Sequence, residues 1–159
     1  MQTSDPIVAS AREEGLVVKD LGDEILVYDA ERDRAHCLNR TVALVWKHCD
    51  GKHSVADISQ LMQVELQAPV QPNVVWYALK QLDKHHLLQG SVTLPEEMDG
   101  LTRREFVRKV GIAAAVAVPI IISIAVPTPA RAASCLAAGS VCSSSAQCCS
   151  GNCSSFVCA

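Results

Sequence analysis

The last 25 residues of this 159-residue chain lack charged side chains and histidine, and they contain few large apolar residues. A stretch of this length and composition cannot build a hydrophobic core, so we expect covalent cross-links to hold it together. Because it has neither histidine nor a paired Cys-x2-Cys spacing, a zinc site is disfavoured there.

Cysteine is scarce in the rest of the chain. Only Cys37 and Cys49 precede residue 135, and the other six cysteines lie within residues 135–159. Disulfides persist in oxidising compartments, whereas thiols stay reduced in the cytosol. The split therefore predicts that the two ends of the chain occupy different compartments. Cys37 and Cys49 are expected to stay reduced, with Cys49 a small core residue.

Charge is also distributed unevenly. Residues 1–100 carry 9 Lys and Arg against 16 Asp and Glu, a net charge of −7, whereas residues 101–134 carry a net charge of +4. A negative domain argues against nucleic acid as its partner, since phosphate contacts dominate that affinity. The sequence also lacks a nucleophile–base constellation, a phosphate-binding loop and paired catalytic carboxylates. We therefore expect no enzymatic activity, no cofactor and no metal.

The stretch from Thr102 to Ser134 has the three parts of an export signal. Four cations open it, 17 uncharged residues follow from Val110 to Val126, and small residues two apart end it. The small residues predict cleavage by a signal peptidase at Ala130 and Ala132.

A helix over these 17 residues would be about 25 Å long, short of the ~30 Å hydrocarbon core, and Pro119 would kink it. These features favour a cleavable signal over a permanent span. The positive charges place the N-terminal side of the segment in the cytoplasm.

The basic front resembles the twin-arginine consensus Ser/Thr-Arg-Arg-x-Phe-Leu-Lys through Arg103, Arg104 and Phe106. Val107 stands where that consensus has Leu, and Arg108 stands where it has Lys. The resemblance implies recognition by twin-arginine export machinery.

Sequence periodicity divides the acidic part into strands followed by helices. Strands are expected over residues 15–22, 23–29 and 34–38 as an antiparallel meander, with a further short strand within 87–94. The apolar spacing that follows predicts three helices. The first carries Val42, Val45, Trp46 and Cys49 on one face.

Capping residues set the expected helix ends. Ser54 is expected to begin the second helix and Asn73 the third, and partly positive His85 and His86 are expected to close the third. The predicted fold class is α+β, with a three-stranded antiparallel meander plus three helices that resemble a winged helix-turn-helix. A signal or transmembrane helix and a small disulfide-rich tail are expected to follow.

Leu38-Asn39, Trp46 and Asp50-Gly51 occur in this order, and a Val/Ile-patterned helix follows from Val55 to Ile58. In this arrangement residues 15–94 resemble the PqqD family. Domains of that family recognise peptides in the biosynthesis of ribosomally made, modified peptides. The resemblance implies a non-catalytic domain that binds a leader or precursor peptide and delivers it to a modifying enzyme, often a radical-SAM enzyme.

The family binds the leader as an added strand beside the third strand, against the third helix. Unpaired backbone groups of an edge strand give such binding its affinity. The resemblance therefore implies a peptide-binding site built from the third strand and the apolar stripe of the third helix. Whether the helix residues face the peptide or only the core stays open. The candidate residues are Arg34, Ala35, His36, Cys37, Leu38, Val75, Leu79 and Leu82.

The tail has the pattern Cys-x6-Cys-x5-Cys-Cys-x3-Cys-x4-Cys. Six cysteines allow 15 connectivities. The spacing resembles the knottin (inhibitor cystine knot) framework, which implies the pairs Cys135–Cys149, Cys142–Cys153 and Cys148–Cys158. A metal site and a lanthionine-type modified peptide, which the serine-rich tail would serve, remain as alternatives.

Five parts are expected: a flexible N-terminus (1–14), a PqqD-like domain (15–94), a linker (95–101), a signal or membrane segment (102–132) and an exported Cys-rich peptide (133–159). The domain would be cytoplasmic, residues 110–126 would enter the inner membrane, and the tail would be periplasmic or secreted.

The expected function is peptide binding within a ribosomal-peptide maturation and export system, similar to that of PQQ biosynthesis. The expected partners are a leader peptide, a modifying enzyme such as a radical-SAM enzyme, the export machinery and the membrane. Two other interpretations stay open. One is a membrane-tethered binding protein whose signal is not cleaved, and the other is a helix-turn-helix DNA-binding regulator.

Overall fold

The computed structural model of the chain describes residues 8–98, 100, 102–110, 118–126 and 135–159. They belong to two compact units, Met1–Ile124 and Ala125–Ala159. The first unit has an apolar core, and the second is built around cysteines.

The first unit is a mixed α+β domain. Its elements are β1 (Leu16–Asp20), β2 (Ile25–Asp29), β3 (Arg34–Leu38), α1 (Arg40–His48), α2 (Val55–Leu66), α3 (Pro72–Lys84), a 3-10 turn (Glu96–Met98), α4 (Arg103–Val110) and β4 (Ile121–Ala125). The strands form one sheet in the order β1-β2-β3-β4. The sheet therefore has four strands where the sequence predicted three.

The first three strands are the predicted meander. Leu16 lies opposite Asp29 in the β1–β2 pair, and Ile25 lies opposite Leu38 in the β2–β3 pair. Alternate side chains of a strand face opposite sides of the sheet. Ile25 and Val27 of β2 and Leu38 of β3 are accordingly buried against the helices.

The predicted apolar face of α1 is confirmed. Val42, Val45, Trp46 and Cys49 are all buried, and the indole N–H of Trp46 donates to the Leu87 carbonyl at 3.0 Å. This hydrogen bond satisfies the one polar group of the largest core side chain. It also ties α1 to the chain just beyond α3.

The helix starts are partly as predicted. Ser54 caps α2 in a reciprocal capping box with Asp57. The predicted cap of α3 is wrong, because Gln71 takes that position and Asn73 lies inside the helix. Pro72 explains the shift, since its fixed φ and missing N–H suit the first helical position.

Residues 8–12, which we expected to fray, are held by the domain. Val8 donates to the His53 carbonyl at 2.9 Å, and Arg12 donates to the Leu87 carbonyl at 3.0 Å. The strand expected within 87–94 reduces to a single bridge between Ala11 and Leu88. The N-terminal segment thus pairs with residues 87–89, where a further strand of the sheet was expected.

The apolar stretch 110–126 does not continue as a helix through its second half. Residues 121–125 form β4, where a signal helix was expected. Pro119 interrupts helical hydrogen bonding, and the β-branched isoleucines that follow favour a strand. None of the helices in the described ranges has the length and apolar character needed to cross a membrane. The predicted cleavage residues Ala130 and Ala132 lie outside the described residues.

The second unit is cross-linked by three disulfides, Cys135–Cys149, Cys142–Cys153 and Cys148–Cys158. This is the pairing that the knottin spacing implies. A short 3-10 turn (Ser145–Gln147) and a two-stranded ribbon, β5 (Cys153–Ser154) with β6 (Val157–Cys158), complete the unit. The buried sulfurs of Cys142, Cys148 and Cys158 lie within 4.8 Å of one another. All three are in disulfides and are not free to bind a metal.

Candidate functional site

The edge of β3 that faces away from β2 holds β4. We call the backbone of residues 34–39 on this side the β3 edge. Asn39 N–H donates to the Ile120 carbonyl at 3.2 Å, and the Ser123 hydroxyl lies 2.6 Å from Nδ1 of His36. Residue numbers rise along one strand as they fall along the other, so the pairing is antiparallel. The strand predicted to bind an extended peptide is thus paired with a later segment of its own chain.

Asn39 fixes the start of this paired segment. Its side-chain Nδ2 donates to the Val118 carbonyl at 2.9 Å, and its side-chain Oδ1 accepts from the Ile120 N–H at 3.2 Å. The same oxygen accepts from the Val42 N–H at 3.2 Å and so caps α1. Pro119, which has no N–H to donate, lies between the two anchored residues. One side chain therefore couples the first turn of α1 to the position of residues 118–120.

Asn39 was not predicted as a site residue. The Leu-Asn pair was noted in the sequence, and an Asn before a helix is a common cap. The second role of its side chain depends on a segment about 80 residues later in the chain, which no local pattern indicates.

The rings of His36, which is buried, and His85, which is half-buried, form a pair. The rings are 5.2 Å apart in an edge-to-face arrangement, and Nε2 of His36 has no hydrogen-bond partner among the described residues. Burial lowers the pKa of His36. Burial, followed by the nearby His36, lowers the pKa of His85 to about 4. Both rings are therefore neutral at pH 7, and the expectation of a partly positive His85 at the end of α3 is wrong.

The other candidate residues of β3 divide between its two faces. His36 and Leu38 are buried on the core side, whereas Ala35 and Cys37 are half-buried on the other face and Arg34 is exposed. The thiol of Cys37 donates to Glu24 at 3.4 Å. Burial and this bond raise the pKa of Cys37.

The candidate residues of α3 belong to the core. Val75, Leu79 and Leu82 are each fully buried, and Val118 and Ile121 pack against the same apolar cluster. The stripe of α3 and the segment at the β3 edge thus contribute to one continuous core.

The basic front of the predicted signal lies on α4. Thr102 and Glu105 form a reciprocal cap, with Thr102 N–H donating to Oε2 of Glu105 at 2.8 Å. Phe106 is buried and stacks on Tyr77 of α3 with ring centroids 4.2 Å apart. Arg103 and Arg104 are exposed. The aromatic residue of the motif is therefore packed into the domain while its two arginines face solvent.

Residues 24–88 match the model of the family described as Coenzyme PQQ synthesis protein D (PqqD). The matched range includes the β3 edge, Asn39, His85 and Tyr77. It ends before α4, β4 and the tail. No curated protein and no solved structure matches the chain.

Proposed function

Because residues 24–88 form a domain of the PqqD family, we propose that the chain is a non-enzymatic fusion of a peptide-binding domain with an exported, disulfide-rich peptide. PqqD domains bind precursor peptides and cooperate with modifying enzymes. In this chain the domain would act within the maturation and export of a ribosomally made peptide, and the tail would be the product that leaves the cell.

The pairing of β4 with the β3 edge is the observation that supports peptide binding most directly. Residues 118–125 lie outside the matched domain, yet they add to its sheet as a strand. Strand addition uses the unpaired N–H and C=O groups of an edge, so it accepts many sequences, and pockets for alternate side chains select among them. An edge that accepts one extended segment has the chemistry to accept another.

Two side chains of the paired segment indicate what the edge selects. Ile121 packs against the apolar core, and two residues later Ser123 meets His36. A peptide ligand in the same position would need a β-branched or otherwise apolar side chain followed, two residues on, by a hydroxyl. The buried imidazole of His36 would reject a large apolar side chain there, because its Nδ1 would lose the hydroxyl partner.

The export half of the proposal is supported by the sequence from Thr102 to Ser134 and by the tail. A basic front with Arg103 and Arg104, an uncharged run and a small-residue end together indicate a signal. Three disulfides in 25 residues fit an oxidising compartment. We propose a cytoplasmic domain, passage of residues 110–126 into the inner membrane, and release of the tail outside it. A knottin-like fold is proposed for the released peptide.

The test is mass spectrometry of the extracytoplasmic fraction from cells that express the chain. A peptide beginning near Ala133 and lighter by six hydrogens than its reduced sequence is expected. Replacing both arginines, Arg103→Lys and Arg104→Lys, should abolish its appearance, whereas the matched change of Lys84→Arg in α3 should not. Finding only full-length, reduced chain in the cytosol contradicts the proposal. Recovery of one intact chain in the membrane fraction would instead support a tethered binding protein with an uncleaved signal.

A further inference from the structure

The molecule places the two halves of its predicted export signal against the peptide-binding domain. Phe106 of the basic front is buried on Tyr77, and the segment after Pro119 occupies the β3 edge. The β3 edge is where the PqqD resemblance implies that a leader peptide binds. A leader peptide in this position and β4 would need the same backbone groups.

We propose that residues 118–125 are a ligand of the β3 edge in cis, so that the domain withholds the apolar part of its own signal and is closed to other peptides until β4 leaves. The withholding of a signal rests on the proposed export function, whereas the closure of the edge does not. Three observations support the proposal: the hydrogen bonds of the Asn39 side chain to residues 118 and 120, the hydrogen bond between Ser123 and His36, and the packing of Ile121 on the apolar cluster.

The side chain of Asn39 holds the start of the segment in place. Asn39 binds Val118 and Ile120 through both ends of one amide, at 2.9 and 3.2 Å. Pro119 would leave a gap in a regular ladder because it has no N–H, and here the side chain of Asn39 bridges across it. The edge is therefore adapted to a proline at this position.

The side-chain match continues along the strand. Ser123 gives the buried His36 a hydrogen bond at 2.6 Å. Without a hydroxyl there, Nδ1 of His36 would be buried without that partner, in addition to Nε2. Because unsatisfied buried polar groups are costly, the presence of Ser123 favours this segment over a purely apolar one.

The inward face of the segment also fits the core. Ile121 packs on the apolar cluster, whereas the side chains of Ile122 and Ile124 on the outer face are 62% and 60% exposed. A substitution at Ile121 therefore alters the contact with the core, whereas the same substitution at Ile122 alters only the exposed face of the strand.

The first test is cross-linking in the intact chain. The register that puts Ser123 beside His36 places Ile122 opposite Cys37 on the outer face. In an Ile122→Cys chain, a short bifunctional thiol reagent should link the tryptic fragments 35–40 and 110–131 within one chain. A Val64→Cys chain, whose new thiol lies at an exposed position of α2, should not give a link to Cys37. Absence of the link, or a link only between two chains, overturns the assignment in cis.

The second test measures closure of the edge. Ile121→Ala shortens the side chain of β4 that packs on the apolar cluster, and it leaves every residue of the β3 edge unchanged. The probe is a labelled synthetic peptide of residues 118–126 with terminal lysines for solubility. We expect it to bind the Ile121→Ala chain about fivefold or more tightly than the unchanged chain, because only the competing strand is weakened and the probe still carries Ile121.

The matched control is Ile122→Ala, the same substitution at an exposed position on the outer face of β4. It should bind the peptide as the unchanged chain does, and Trp46 fluorescence should report a folded domain in all three chains. Equal affinity in all three chains, or no binding to any of them, overturns the proposal.

Export then separates this inference from the proposed function. Asn39→Asp removes the donor to Val118 but keeps an oxygen to cap α1, and it alters no residue of the signal. Release of the tail should be faster from this chain than from a chain with Asn73→Asp, the same substitution at an exposed position of α3. Equal rates of release would overturn the withholding of the signal. If neither chain releases a tail, the proposed export function fails, while the cross-link and the peptide affinities still decide whether the edge is occupied in cis.

Discussion

At the scale of single residues, the carboxylate of Asp29 anchors the turn between β2 and β3. Its side chain is fully buried and accepts hydrogen bonds from Arg12, from the guanidinium of Arg32 at 3.2 Å, and from the N–H of Glu31 at 3.1 Å. Burial alone would raise the pKa of Asp29. The bond and charge of Arg12, with the turn donors, outweigh burial and hold the pKa below its usual value.

Replacing Asp29 by Asn should therefore destabilise the first unit by about 3 kcal/mol, because the charge that Arg12 and Arg32 surround would be lost. Urea unfolding followed by Trp46 fluorescence measures the change. The control is Asp33→Asn, an exposed position whose φ of +48° Asn tolerates. Equal losses in the two variants would show that Asp29 has no special role.

Since its folded pKa is depressed, the contribution of Asp29 to stability is present above its unfolded pKa of about 3.9 and is lost as pH falls through the folded value.

His85 gives the first unit a second dependence on pH. Its folded pKa is about 4, because it is half-buried and lies beside His36 and near Lys84 and Arg34. The unfolded value is about 6.5, so the unfolded chain binds the proton more readily. Stability should be complete above about pH 6.5 and should decrease as pH falls from there towards 4. The lowered pKa of His36 acts in the same direction.

The measurement is the urea midpoint at pH 7.5 and at pH 5. His85→Gln should reduce the difference between the two midpoints, while His86→Gln at the exposed neighbouring position should leave it unchanged. A urea midpoint that rises on acidification would contradict the conclusion that His36 and His85 are neutral in the folded domain.

At the scale of secondary structure, local patterns predicted most of the fold. The i, i+3, i+4 spacing of Val42, Val45 and Trp46 places α1 correctly, and Ser54 with Asp57 marks the start of α2. The bounds of β3, Arg34–Leu38, are those predicted from the sequence. Each of these signals lies within a few residues of the structure that it specifies.

The elements that sequence reasoning missed depend on distant partners. Residues 121–125 are apolar except for Ser123, and they fit a membrane helix or a strand, since periodicity cannot distinguish short apolar runs. The β3 edge, about 80 residues earlier, decides in favour of the strand. Similarly, nothing near Phe106 indicates that it stacks on Tyr77.

Phe106→Ala should release α4 from the first unit, because a buried ring that stacks on Tyr77 provides much of its contact with α3. Hydrogen exchange should show loss of amide protection in residues 103–110, with β1–β3 still protected. The exposed Arg104→Ala in the same helix is the control and should keep that protection. Protection retained in Phe106→Ala would mean that α4 is held by other contacts.

At the scale of the whole molecule, two kinds of stabilisation operate in one chain. The first unit has a large apolar core that protects the thiol of Cys49, because burial raises the pKa of Cys49 to about 12. The second unit has three disulfides that close loops of 14, 11 and 10 residues, and such a loop contributes about 3 kcal/mol in the chain-entropy treatment.

Reduction should therefore affect the two units differently. After treatment with a strong thiol reductant, the amide signals of residues 135–159 should collapse to unfolded positions. The thermal midpoint of the first unit, followed by Trp46 fluorescence, should stay within about 2 °C of its original value, because it contains no disulfide. A reduced tail with unchanged amide signals would show that its few apolar side chains suffice to fold it.

The separation of β3 from β4 along the chain has a consequence for biosynthesis. Asn39 and Ile120 are 81 residues apart, and ribosomes add about 5–20 residues per second. The β3 edge therefore leaves the ribosome several seconds before its partner strand has been made. For about 4–16 s per molecule, a peptide already present in the cell has unopposed access to that edge. A peptide can thus bind the β3 edge of the nascent chain, whereas β4 fills that edge in the finished protein.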